Sequence, residues 1–268
     1  MQTVTSADGI EIAYETHDDS GGPPLVLLHG GGTRRYWDPV LDRLAEEYTV
    51  VLPDRRARGD SGDSDEYGLR REVEDALAVV DAVDGDPALY GHSFGGLQAI
   101  EAAREADVSA LVAYEPAILV GDYREEAALA DRMEAHIEAG ERREAMKLHL
   151  REVLHDEVGD AEFAAWLDEW PGWPGCVEHV ELDLRMNRAV EQYRLPDALD
   201  VDAPALLLTG SEGPAHLRDS VRATRDAIPD SRLVEFEGVG HNGPVAAADR
   251  VTAEVRDFLA TVLAEEAV

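Results

Sequence analysis

Apolar residues along this chain fall into two alternating patterns. Short uninterrupted runs, at Pro24 to His29, Tyr48 to Leu52, Ala88 to Tyr90, Ala110 to Tyr114, Ala205 to Thr209 and Arg232 to Phe236, read as strands buried on both faces. Between them lie stretches with helical spacing, such as Val73, Leu77 and Val80 within Arg70 to Val83. Strands alternating with helices imply a parallel sheet covered on both sides. Ahead of these, Thr3 to Thr5 and Ile10 to Thr16 flank Ala7-Asp8-Gly9, whose Asp-Gly pair favours a hairpin turn, so two further strands open the chain. The expected fold is α/β, with a mostly parallel, doubly wound sheet of about eight strands.

One interval breaks the rhythm. From Glu115 to Ala205 no strand is evident, while helical periodicity continues through Ala127 to Gly140, Glu144 to Val153 and Glu162 to Trp170. A crossover between parallel strands needs about a dozen residues or a few dozen, so this span is too long for one. A helical cap is expected at residues 121–196, inserted after the sixth strand, on a core formed by residues 1–120 and 197–268.

Gly91-His92-Ser93-Phe94-Gly95 follows the short run Ala88 to Tyr90 and opens a helical stretch, Leu97 to Arg104. The bare G-x-S-x-G pattern is weak, but its strand-turn-helix setting is what a serine nucleophile requires. A serine on so sharp a bend takes strained backbone angles, and the flanking glycines remove side chains that would collide with neighbouring elements. A serine that merely caps a helix needs neither glycine.

A serine hydroxyl needs a base. Of nine histidines, His241 lies on the glycine-rich turn after the last predicted strand, at the same carboxyl edge of the sheet as Ser93. His136, His149, His155 and His179 fall in the cap region and are expected to be structural or surface residues.

Composition narrows the picture further. With 44% hydrophobic and 30% charged residues the chain is globular in type. A net charge of −33, from 57 acidic against 24 basic residues, makes nucleic acid and anionic membranes poor partners. Such a surface repels itself unless salt screens it; at about 1 M salt the screening length falls to about 3 Å. A very salty cytoplasm is therefore expected, and the melting midpoint should rise from low to molar KCl; a flat or falling midpoint would refute this. The N-terminus lacks a secretory pattern and no apolar run is long enough to cross a bilayer, so the expected location is cytoplasmic. The single cysteine, Cys176, excludes an intrachain disulfide and a cysteine metal cluster.

Taken together, Leu27-Leu28-His29-Gly30-Gly31-Gly32, Pro53-Asp54-Arg55-Arg56-Ala57-Arg58-Gly59-Asp60-Ser61, Gly91 to Gly96 and Gly238-Val239-Gly240-His241 resemble the α/β-hydrolase superfamily over almost the whole length. That resemblance implies a serine hydrolase with no cofactor. It implies oxyanion donors at the backbone N–H groups of Gly31 and Phe94, and an ion-paired scaffold at Asp54, Arg56, Arg58 and Asp60.

The third member of the triad departs from the commonest pattern. Many relatives carry an aspartate three residues after the glycine that closes the seventh strand; here that glycine is Gly210 and the third position is Gly213. Glu212 stands one residue early, and Glu115, after the strand that precedes the cap, is a position some relatives use. Glu115 is favoured, with Glu212 as the alternative. The cap supplies Phe163, Trp166 and Trp170 at helical spacing; Trp166 and Trp170, with Trp37 near the glycine turn, are candidates for a substrate pocket, although such a stripe is first of all packing.

The expected reaction is cleavage of an ester-type bond in a small to medium apolar molecule through an acyl-enzyme. The motifs do not separate carboxylesterase from thioesterase, lactonase or carbon-carbon hydrolase, and cofactor-free, haloperoxidase-like perhydrolysis is an alternative. A non-catalytic binding protein on the same fold is the alternative of a different kind.

Overall fold

The computed structural model describes residues 1–18, 21–155 and 158–266. The strands are β1 (Gln2–Thr5), β2 (Glu11–His17), β3 (Pro24–Leu28), β4 (Thr49–Pro53), β5 (Ala88–His92), β6 (Ala110–Tyr114), β7 (Ala205–Gly210) and β8 (Ser231–Phe236). They form one sheet in the order β1-β2-β4-β3-β5-β6-β7-β8. The β1–β2 and β2–β4 pairs are antiparallel and every other pair is parallel, as the hydrophobic pattern implied.

The apolar runs are buried on both faces because alternate residues feed two separate cores. On one side Val26, Leu28, Leu89, Leu111, Ala113 and Leu207 meet α2 (Leu69–Asp81), α3 (Phe94–Ala103) and α9 (Ala215–Ala227). On the other, Leu25, Leu27, Tyr90, Val112, Tyr114 and Leu208 meet α1 (Asp38–Ala45) and α11 (Ala248–Glu266), the latter preceded by the single turn α10 (Gly243–Ala246). Fully burying each valine or leucine among them contributes about 1.5–3 kcal/mol.

Between β6 and β7 the described residues form α4 (Gly121–Glu125), α5 (Leu129–Glu138), α6 (Arg142–Leu154), α7 (Asp160–Glu169) and α8 (Val180–Gln192). These helices have a core of their own, built from Met133, Met146, Leu150, Phe163, Leu167 and Val180. Helix α8 ties them to the sheet domain. Its Asp183 pairs with Arg58 at 2.7 Å and its Arg185 with Asp63 at 2.9 Å, while Met186 and Ala189 pack on Phe94.

The chain runs from β3 to β4 on one side and later enters β5 on the other. Strand order therefore reverses between β3 and β5, and the loops leaving their carboxyl ends diverge. Open α/β sheets bind ligands in the crevice such a reversal creates. Gly30 to Gly32 and Ser93 both stand there.

Candidate active site

Ser93 joins β5 to α3 with φ 55° and ψ −121°, a conformation that is rare without glycine. The surroundings enforce it. A Cβ built on Gly91 would run into the backbone of Gly95 and Gly96, and one on Gly95 into the carbonyl groups of Leu28 and His29. Ser93 N–H donates to Tyr114 O at 3.0 Å, and Ser93 O accepts from Gly96 N–H at 2.9 Å and Ala117 N–H at 3.0 Å. The bend is thus clamped between β3, β6 and its own helix. Gly95→Ala should lower stability by about 3 kcal/mol or more, since backbone on both sides cannot yield; an unchanged denaturant midpoint would contradict this packing account.

Glu115 follows β6 at φ 42° and is fully buried. Among the described residues only three non-glycines have positive φ, and Ser93 and Glu115 are two of them. Backbone strain concentrates where over-determined contacts hold a functional group. The Glu115 carboxylate accepts Thr209 Oγ1 at 2.7 Å and Gly210 N–H at 3.0 Å on Oε1, while Oε2 lies 2.7 Å from His241 Nδ1. With Nδ1 donating to the carboxylate, His241 keeps its lone pair on Nε2, the tautomer a base needs.

Of the two carboxylates considered, Glu115 holds the imidazole. Glu212 is exposed, and its backbone N–H is spent on Val239 O at 2.9 Å. The glycine at 213 explains the arrangement: a Cβ there would strike the Glu115 carboxylate. The side chain absent from the end of β7 leaves the space that the Glu115 side chain fills.

The His241 loop is tied to the Ser93 bend. His92, adjacent to Ser93, has its Nε2 2.9 Å from His241 O, and the two rings lie 4.5 Å apart between centroids. His92 also stacks on Tyr36, 4.5 Å away and 8° from parallel. Burial, then the neighbouring His241, holds the His92 imidazole well below its ordinary pKa, so it stays neutral. On the opposite side Gly30 packs against the bend. A Cβ on it would sit 2.8 Å from Ser93 Cβ and 3.3 Å from Oγ, which places the glycine loop alongside the hydroxyl.

A cavity of about 750 Å³ opens over Ser93 and Phe94. Ile118, Val120, Met186, Val190 and Leu217 give it apolar walls. Its charged lining is mostly acidic, with Asp122, Glu126, Glu152, Glu191 and Asp219 against Arg132, which is ion-paired to Glu152.

The expected tryptophan lining is overturned. Trp37 is fully buried in the sheet core, tilted against Tyr90 at 4.8 Å. Trp166 and Trp170 stack on each other at 5.2 Å within the helical insertion. None of the three lines the cavity. Met186, Asn187 and Val190 of α8 do so instead, and sequence reasoning missed them. Cys176 sits half-buried in the same insertion, where desolvation pushes its thiol up, away from reactivity.

The charged loop after β4 is an ion-paired scaffold. Asp54 binds Arg34, Arg34 reaches Glu15 and Asp60, and Arg56 holds Asp75 at 2.7 Å.

The sequence profile of the alpha/beta hydrolase family matches residues 25–255. The chain belongs to that family. This alpha/beta hydrolase is 26% identical over 273 residues to a Mycobacterium tuberculosis protein that carries the name non-heme bromoperoxidase BpoC; the match covers 95% of the chain and 100% of the relative. Among solved structures it resembles an alpha/beta hydrolase from Sphaerobacter thermophilus, with a TM-score of 0.78 and 32% identity over 92% of this chain and 98% of that one. Its fold is also shared with the esterase RhEst1 from Rhodococcus, with a TM-score of 0.73 and 24% identity over 97% and 98% of the two chains. Among the described residues no helix of this hydrolase is long and apolar enough to cross a membrane.

Proposed function

We propose that the chain is a serine hydrolase that cleaves esters of small to medium, uncharged molecules through an acyl-enzyme. The observation that carries this reading is the 2.7 Å contact between His241 Nδ1 and a fully buried Glu115, beside a serine held at positive φ. His241 Nε2 takes the Ser93 proton as Oγ attacks the carbonyl carbon, and Glu115 stabilises the imidazolium that forms. The tetrahedral oxyanion is met by the N–H of Phe94, at the start of α3 where the first amides lack intrahelical partners, and by the N–H of Gly31. The imidazolium then gives its proton to the departing alcohol. Water, deprotonated by the same base, releases the acid.

The helical insertion acts as a cap in this reading, since α8 and the segment before α5 wall the cavity over Ser93. Five carboxylates against one paired arginine favour neutral acyl and alcohol groups over anionic ones. A carboxylate-bearing ester should react about tenfold less efficiently than its neutral isostere at low salt, the gap narrowing in molar KCl. Equal kcat/KM for the two would discard that preference. The parent reading is tested by a fluorophosphonate probe: Ser93 should be modified in the native protein and spared in His241→Ala. A native Ser93 that stays unmodified supports the binding-protein alternative.

A second reading follows from the resemblance to the bromoperoxidase-named relative. Hydrogen peroxide could replace water as acceptor of the same acyl group, giving a peracid and free enzyme. Peroxide-dependent oxidation of bromide in acetate buffer, lost in Ser93→Ala, supports it; no rate above background removes it.

A further inference from the structure

The peptide joining Gly30 to Gly31 is one rigid unit, with its carbonyl on Gly30 and its N–H on Gly31. In a trans peptide these point in opposite directions, so whatever holds the carbonyl aims the N–H. Two buried donors hold it: Arg55 Nη1 at 2.8 Å and His29 Nδ1 at 3.1 Å. His29 is itself fixed, because its Nε2 accepts the Arg55 backbone N–H at 3.1 Å.

The Arg55 guanidinium is then locked from its other edges. Nε and Nη2 lie 3.1 and 2.6 Å from the Glu72 carboxylate, Nη2 is 3.0 Å from Tyr67 Oη, and Tyr67 in turn donates to Glu72 at 2.6 Å. Its flat face covers the Phe94 ring, 4.0 Å from the centroid. One side chain, 2% exposed, therefore grips the peptide that carries one proposed oxyanion donor and stacks on the residue that carries the other.

Stability alone is a weak account of this pair. A buried Arg–carboxylate couple often contributes no more than well-packed apolar side chains of the same volume. An arginine is, however, suited to fixing several planar groups at once, because its donors diverge in a rigid fork.

We propose that Arg55 is a positioning residue for both halves of the oxyanion site. It fixes the Gly30–Gly31 peptide so that the Gly31 N–H faces Ser93, polarises that peptide through a charged donor, and holds Phe94 in register. The inference rests on the reading of Ser93, Gly31 and Phe94 given under the proposed function.

The test compares Arg55→Met, Arg55→Lys and the native enzyme, with folding checked by circular dichroism and melting. Three quantities are read: kcat and KM on a neutral aryl ester, the pH–rate profile, and the inhibition constant of an aryl trifluoromethyl ketone, whose hemiketal oxyanion occupies the same site. Arg55→Met should lower kcat by about 30- to 100-fold with KM changed less than about threefold, and should weaken the ketone by a factor matching the loss in kcat/KM. The midpoint of the pH profile should not move, since His241 and Glu115 are untouched. Arg55→Lys keeps a charge on Glu72 but has no fork to reach Gly30 at the same time, so it should recover only part of the loss. If Arg55→Met does not fold, Arg55→Lys carries the test, with a loss of about tenfold in kcat and in ketone binding. A folded variant with kcat within about twofold of native, or one that loses kcat while binding the ketone as tightly as before, overturns the inference. Failure of the native enzyme to label with a fluorophosphonate would withdraw the underlying reading as well, whereas a labelled native enzyme with indifferent Arg55 variants withdraws this inference alone.

Discussion

Ser93→Ala should lower kcat/KM on a neutral ester by about 10⁴-fold or more while leaving the protein folded, and His241→Ala should do nearly the same. Each substitution removes one half of a single proton transfer, so the double variant should be little worse than either. Residual turnover in all three should exceed the uncatalysed rate, because the backbone donors remain. The strain at residue 93 adds a second readout. At φ 55° a side chain is tolerated only because the clamp from Tyr114, Ala117 and Gly96 over-determines the bend, so Ser93→Gly should melt higher by an amount equivalent to about 1 kcal/mol. An active Ser93→Ala ends the nucleophile assignment. A Ser93→Gly that melts lower than native ends the strain account.

Glu115→Gln should lower kcat by about 10³- to 10⁴-fold, whereas Glu212→Gln should stay within about twofold of native. The glutamine is isosteric and does not disturb Gly213, so the effect isolates chemistry from packing. With only one oxygen left, the amide can no longer accept from Thr209 and Gly210 on one side and from His241 on the other. If its NH₂ group turns toward the imidazole, the ring must accept at Nδ1 and carry its proton on Nε2, where Ser93 needs a base. The carboxylate that would balance the imidazolium is also gone. Steady-state kinetics of the two variants decides the matter: a Glu115→Gln enzyme with native kcat removes Glu115 from the triad, and a crippled Glu212→Gln moves the role to the rim.

The sheet was legible in the sequence because its central strands are buried on both faces and therefore uninterrupted by polar residues, from Leu25 to Leu28 through Leu206 to Leu208. Helix α8 was not legible. Its inward positions Val180, Asp183, Met186 and Asn187 include two polar residues, one satisfied by Arg58 and one lying 2.8 Å from His149 Nδ1. A pattern of apolar spacing cannot see partners that lie far away in the chain. The same blindness concealed the cavity wall that α8 builds. Of the two readings of the tryptophan stripe, packing is the one the structure keeps, since aromatic residues three and four apart on a helix are most simply satisfied by packing on one another. The elbow and the histidine loop were marked by glycines with a steric purpose. Glu115 and Glu212 stand at the same sheet edge, and only the through-space contact of Glu115 with His241, in the room left by Gly213, separates them. Arg55 was indistinguishable from Arg56 and Arg58, its neighbours on one loop, although they turn toward different partners.

The void left by the missing side chain at Gly213 admits one carboxyl group, and the neighbouring strand already fills it. An aspartate introduced there while Glu115 remains would bring two like charges into one dry compartment and collide with the occupant, while removing Glu115 first would leave the imidazole without a counter-charge. Either order of single changes passes through a disabled intermediate. On the proposed triad, moving the acid to β7 should therefore demand a paired exchange, which makes the two layouts separate basins and not points on a gradual slope.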